Sequence, residues 1–336
     1  MRLAVVVALL LVIGACFMIS CSGSHSMSTQ IPTGPVTATQ VDCPATGPQG
    51  ASCMALDISC PNIPNYTAYV KIITPTNPIG TIIFTTGGGG NTLYETDTYG
   101  TTAVQNVVDA GYEAVQLTFG APFSNGAGWE DDVNGLGARA AACRYAMVAQ
   151  WLAQQTPSVP LCATGNSAGG QNIGEGLAHY GLGSYLSFAE ITSGPPFSRV
   201  DLACNPTTVD PEVEPCSNAT VGMSVGVTDA TNFIDPAYPG PWCSQQIQTG
   251  NILHQAQFLN DSITSPDAVL NYPSTTVRFV YGGQDLSSAI RQGLNYKSQI
   301  TSSTSVGCVA DAPHNLDDAL DGAQAIAADL IANCHK

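Results

Sequence analysis

The chain of 336 residues carries 9 Lys+Arg against 25 Asp+Glu, a formal net charge of −16, with 44% hydrophobic and only 10% charged residues. So few basic residues leave nothing to neutralise a phosphate backbone, which excludes nucleic acid as a partner. The apolar content excludes a disordered acidic chain, and 34 glycines without a G-X-Y period exclude collagen.

Arg2 followed by an apolar run to about Ile19 reads as a secretory signal over residues 1–20. Two cysteines close that run, in Ile13-Gly14-Ala15-Cys16 and Met18-Ile19-Ser20-Cys21, and each resembles a bacterial lipobox. Lipidation at Cys21 leaves the polar stretch Ser22-Gly23-Ser24-His25-Ser26 and an even set of ten further cysteines, whereas processing at Cys16 leaves eleven. The reading is an exported protein, anchored on a membrane through Cys21 or secreted outright. Ten cysteines in an oxidising compartment predict up to five disulfides. Their spacing contains no C-x-x-C, so no metal is expected. The expected links are Cys308–Cys334, a closed loop among Cys204, Cys216 and Cys243, and an N-terminal segment fastened by Cys43, Cys53 and Cys60.

Residues 21–42 are rich in Ser, Thr, Gly, Pro and Gln and read as a flexible tether, with a catalytic domain over 43–336. The apolar, β-rich runs predict strands over 66–73, 81–86, 114–119, 160–164, 187–192, 276–281 and 303–310. Helices are predicted over 99–110, 134–154, 168–179 and 316–332. Strands alternating with helices indicate βαβ units and a mostly parallel sheet, with spelling such as Thr81-Ile82-Ile83-Phe84 fitting strands covered on both faces. Residues 194–275 break the rhythm with ten prolines and three cysteines, and read as a disulfide-fastened lid or cap insertion.

The sharpest local signal is Gly165-Asn166-Ser167-Ala168-Gly169 between a predicted strand and a predicted helix. A turn that tight projects the Ser167 hydroxyl above the sheet and aims the helix N-terminus and the Ala168 N–H at developing negative charge. Gly87-Gly88-Gly89-Gly90 follows another strand. Asn91-Thr92 stands where a phosphate loop needs Lys-Ser/Thr, so the glycines suit an oxyanion hole instead, with Gly88 or Gly89 as donor beside Ala168. Asp285, just beyond the strand at 276–281, is the candidate for orienting a histidine, with Glu190 its rival. Of five histidines only His314, on a loop between the last strand and last helix, continues the order Ser…Asp…His. Phe119, Trp129 and Trp242 are candidates to line an apolar acyl pocket, with core or lid packing as the alternative. The G-x-G-x-x-A of Gly135 to Ala140 follows no strand, which argues against a dinucleotide site, and Glu130-Asp131-Asp132 reads as charge complementing a helix start.

These motifs and their order resemble the α/β-hydrolase superfamily, and the G-x-S-A-G-G turn with its glycine loop is most similar to the hormone-sensitive-lipase-like esterases. Thr86 replaces the usual His of that branch's oxyanion loop, and Asn166 its usual acid. The resemblance covers about residues 66–332. It implies an α/β-hydrolase fold, no cofactor, and an acyl-enzyme mechanism on a small ester, with Ser167 as nucleophile, His314 as base and Asp285 orienting it. A polyester or acylated polysaccharide, a peptide substrate, and a non-catalytic surface lipoprotein are the alternatives.

Overall fold

The computed structural model describes residues 34–123, 126–206, 212–213, 216 and 220–335. The expected secretory signal over residues 1–20 and the candidate lipidation sites Cys16 and Cys21 lie outside the described residues. Strands β1 (Val36–Val41), β2 (Ser52–Ile58) and β3 (Tyr66–Ile73) form an antiparallel meander. β1 occupies the end of the expected tether. Four of its six residues are exposed, so it carries no buried-face pattern for a sequence reader to find.

The alternation then begins: β4 (Thr81–Thr85), α1 (Gly100–Asp109), β5 (Glu113–Phe119), α2 (Ala138–Ala141), α3 (Cys143–Gln155), β6 (Leu161–Asn166), α4 (Ala168–His179) and β7 (Leu186–Thr192). The helix expected over 134–154 starts later, because Asn134, Gly135 and Gly137 have φ of 54°, 70° and 92°, outside the helical region. After β7 the insertion holds α5 (Val200–Ala203), a small ribbon of β8 (Glu212–Val213) and β9 (Thr220–Val221), α6 (Val227–Phe233), α7 (Trp242–Thr249) and α8 (Gln255–Asn260). The chain closes with β10 (Thr276–Gly282), α9 (Ala289–Gln299), β11 (Thr304–Val309) and α10 (Leu320–Asn333). α9 is absent from the expected elements. Its interior Gly293 lowers helix propensity, yet a Cβ there would collide with the Gly194 carbonyl and the Tyr281 hydroxyl.

Nine strands form one sheet in the order β1-β2-β3-β5-β4-β6-β7-β10-β11. β3 is antiparallel to β2 and β5, and the strands from β5 to β11 are parallel. Every residue of β4, β5 and β6 is buried, as a sheet covered on both faces requires. On one face α1 presents Ala103, Val104 and Val107, and α10 presents Ala323, Ile326, Ala327 and Leu330 at helical spacing. The other face is covered by α2, α3, α4, α9 and the insertion, which share a core with Ala146, Ile173, Leu177, Phe258 and Tyr296. α4 is buried along its whole length, with Gly174 against Ile263 and Gly176 against Leu182. The chain passes from β4 outward to β5 and then returns across β4 to β6. That reversal opens a crevice beyond the carboxyl ends of β4 and β6, the place where such sheets bind ligands.

All ten cysteines from Cys43 onward are paired, as Cys43–Cys53, Cys60–Cys143, Cys162–Cys334, Cys204–Cys243 and Cys216–Cys308. The expected Cys308–Cys334 link is therefore incorrect. On β11, Val309 packs toward α10, so Cys308 next to it faces the other way and meets Cys216 of the insertion. Cys334 is carried by α10 across the sheet to the buried Cys162 on β6. No helix among the described residues is long and apolar enough to cross a membrane.

Candidate active site

Ser167 sits between β6 and α4 with φ 49° and ψ −113°, a conformation that costs a non-glycine residue on the order of 1–3 kcal/mol. Its surroundings hold it there. The Ser167 N–H donates to the Thr192 carbonyl at 2.8 Å. A Cβ at Gly165 would lie 2.5 Å from the Gly169 carbonyl carbon, and one at Gly169 would lie 2.6 Å from the Thr85 oxygen. Only glycine at both positions lets the turn close against β4.

On the opposite rim, Asp285 follows β10 and His314 follows β11. The His314 Nδ1 lies 2.9 Å from Asp285 Oδ2 and 3.1 Å from Ser287 Oγ, and the Ser287 amide donates to Asp285 Oδ1 at 2.8 Å. Burial pushes the Asp285 carboxyl up, but hydrogen bonds from His314 and Ser287 and the His314 charge outweigh it and hold the acid below its ordinary range. The two turns are joined backbone to backbone: Gly283 N–H donates to Val309 O at 2.8 Å and Gln284 N–H to Ala312 O at 3.0 Å. A Cβ on Gly282 would collide with the carbonyls of Ala312 and Pro313. The glycine pair before Asp285 is thus what allows the histidine loop to dock.

Ser167 and His314 line one cavity of about 390 Å³. Gly87, Gly88 and Ala168 form part of its floor, and Pro196, Phe197, Val225, Phe233 and Ile234 form its apolar wall. Asp97 and Asp229 also border it, and among the described residues no Lys or Arg does. The Asn166 amide donates to Asn315 Oδ1 at 2.7 Å, so the residue before the serine is tied to the residue after the histidine.

Several expected site residues lie elsewhere. Gly89 does not line the cavity; its open side backs onto Gly128, whose Cα would be 2.9 Å from a Cβ at that position. Gly87 lines it instead, and a Cβ placed there would lie 3.1 Å from Ser167 Cβ. None of the three expected acyl-pocket aromatics reaches the cavity. Phe119 is fully buried on β5, packed near Gly90. Trp129 is buried behind the glycine loop. Trp242 stacks on His254 at 3.8 Å between ring centroids. The aromatic over the floor is Phe233, whose Cε1 would be 3.2 Å from a Cβ on Gly88. Its sequence context, an insertion without periodicity, carries no signal for that role. Glu190, the rival acid, is buried on β7, bonded to Thr164 Oγ1 at 3.0 Å and pushed well up by burial. His179 is a core histidine between Ser262 O and Glu175, lowered to about 4 by burial. Among the described residues, no group of three or more His, Cys, Asp or Glu is arranged to hold a metal ion.

No family model and no curated protein matches this chain. Solved structures do. A putative hydrolase from Agrobacterium vitis S4 aligns over 90% of this chain and 100% of its own, at 12% identity and a TM-score of 0.50. The fold is an α/β-hydrolase fold. A carboxyl esterase 2 from Tuber melanosporum is 15% identical over 91% of this chain and 90% of its own, with a TM-score of 0.47. A dienelactone hydrolase from Anabaena variabilis is 13% identical over 84% and 96%, with a TM-score of 0.46. At these identities the likeness is one of fold. In this chain Ser167, Asp285 and His314 all stand beyond carboxyl ends of parallel strands, those of β6, β10 and β11.

Proposed function

We propose that this protein is an exported serine hydrolase that cleaves small carboxylic esters through an acyl-enzyme. The observation that carries the reading is the His314–Asp285 bond of 2.9 Å on the rim of the cavity that also exposes a backbone-strained Ser167. A carboxylate can only accept, so the Nδ1–H of His314 donates to Asp285 and leaves Nε2 as the base. Ser167 Oγ attacks the ester carbonyl while its proton passes to Nε2. The carbonyl electron pair moves onto oxygen, where amides of the glycine loop and of Ala168 stabilise it. The tetrahedral intermediate collapses, the C–O bond to the alcohol breaks, and the imidazolium returns the proton to the leaving alkoxide. Water, deprotonated by the same nitrogen, then releases the acid and regenerates Ser167.

A cavity of about 390 Å³ with Val225, Phe233 and Ile234 in its lining supports small esters over a polymer, because its size and apolar wall suit a short acyl group. The turn sequence keeps the hormone-sensitive-lipase-like esterases as the nearest branch. Five disulfides support an oxidising compartment, and lipidation at Cys21 would hold the domain at a membrane surface. The purified protein is expected to release p-nitrophenol from its butyrate ester and to react with a fluorophosphonate. Ser167→Ala should remove both, with a loss in kcat on the order of 10⁴- to 10⁶-fold. A mutant as active as the parent would refute the assignment, and clearing of polyester film in preference to soluble ester would move it to a depolymerase.

A further inference from the structure

Gly87 and Gly88 of the floor belong to a run of four glycines with little conformational preference of its own. The Gly90 N–H donates to Gly87 O at 3.0 Å, closing a β-turn whose central residues are Gly88 and Gly89. Gly88 has φ +57° and Gly89 has no positive φ, the pattern of a type II′ turn. Rotating the central peptide by half a turn converts type II′ into type I′, which needs positive φ at both central positions. Glycine at both makes the two states nearly equivalent locally. The two states are opposite for catalysis: one points the Gly89 N–H at the site, the other points the Gly88 carbonyl there, where it would repel a developing oxyanion.

One side chain breaks the tie. The indole Nε1–H of Trp129 donates to Gly88 O at 3.1 Å, and the Trp129 backbone N–H donates to Gly89 O at 3.0 Å. Trp129 is 1% exposed and does not line the cavity, whereas Gly88 does, so the indole lies behind the floor. In a planar trans peptide the C=O and N–H point in opposite directions. A Gly88 carbonyl drawn back to the indole therefore turns the Gly89 N–H the other way, to the side on which Gly88 lines the cavity. Trp129 is itself fixed, since the buried Arg144 donates to its carbonyl at 2.7 Å and Asn91 donates to Gly126 O at 2.7 Å beside it.

We propose that Trp129 is a positioning residue for the oxyanion hole, selecting the turn state in which the Gly89 amide is a donor. The inference rests on the serine-hydrolase reading above. Trp129→Phe in the full chain keeps an aromatic ring and deletes the N–H. With p-nitrophenyl butyrate, kcat is expected to fall about 10- to 100-fold while KM stays within about threefold, a fraction of the loss expected for removing a donor outright. A trifluoromethyl ketone, whose adduct with Ser167 carries the same oxyanion, should lose affinity by the same factor as kcat. A merely structural role would lower the melting temperature without this split. Full kcat in the folded variant, or a rise in KM alone, overturns the proposal. Should the Phe variant fold poorly, benzothienylalanine at position 129 replaces only the N–H by sulfur, and the same readouts decide. A parent chain that hydrolyses no ester fails the serine-hydrolase reading itself; an active parent with an unaffected variant fails only the role of Trp129.

Discussion

The two sides of the cavity are built differently. The side carrying Ser167, Asp285 and His314 is made of strand ends joined by backbone hydrogen bonds and glycine contacts, with little freedom to vary. The facing side is made of the insertion, where Val225, Phe233 and Ile234 come from short segments held by Cys204–Cys243 and Cys216–Cys308. In the proposed function, chemistry falls to the sheet side and substrate shape to the insertion. Changes on the first side should act on kcat, and changes on the second on acyl preference.

Among changes that leave the reacting side chains in place, the largest effect should come from disturbing the docked turns. Gly282→Ala drives a methyl group into the Ala312 and Pro313 carbonyls and displaces the His314 loop. A shift of about 1 Å there should lower kcat roughly 100-fold, measured with a soluble ester beside a melting curve. Unchanged kcat would show that the loop adjusts and that this side is not the rigid one. Phe233→Ala should act on the other side. Removing the ring opens space above Gly88 and should raise kcat/KM for octanoate relative to butyrate esters by about tenfold, the scale of apolar pocket discrimination. An unaltered chain-length profile would separate the insertion from specificity.

A smaller effect compares acids rather than walls. Asp285 is held below its ordinary range, but Glu130 and Asp317 are each pushed up to about 8 by burial. A carboxyl whose folded pKa is raised stabilises the fold at low pH and loses that contribution as pH climbs toward the folded value. The melting temperature should therefore fall by several degrees between pH 6.5 and 8.5, since each such carboxyl changes stability by up to about 1.4 kcal/mol per pH unit below its folded pKa. His179, neutral in the core, works in the opposite sense only below its unfolded value, outside that interval. A midpoint that rises toward pH 8.5 would contradict the burial of these acids.

Much of the sheet side was legible because its residues obey local rules. A strand, a tight glycine turn and a helix place Ser167, and strand ends place Asp285 and His314, so spacing and order suffice. β1, α9 and the disulfide partners were less legible, for a shared physical reason. Each depends on contacts between segments distant in sequence: an exposed edge strand, a helix that needs Gly293 for close approach to Gly194, and a β11 alternation that sends Cys308 away from α10. The same holds for Phe233, which reaches Gly88 across the cavity, and for Trp129, whose sequence neighbourhood says nothing of the carbonyls it holds.

The bond between Cys162 and Cys334 spans 172 residues and makes that stretch a covalent ring. Ser167, Asp285 and His314 all lie within it. A single proteolytic cut anywhere in the ring, including in the insertion, converts it to an open chain whose pieces remain joined through sulfur. Nicking would then change the connectivity of the backbone without releasing Ser167, Asp285 or His314 from the rest of the chain.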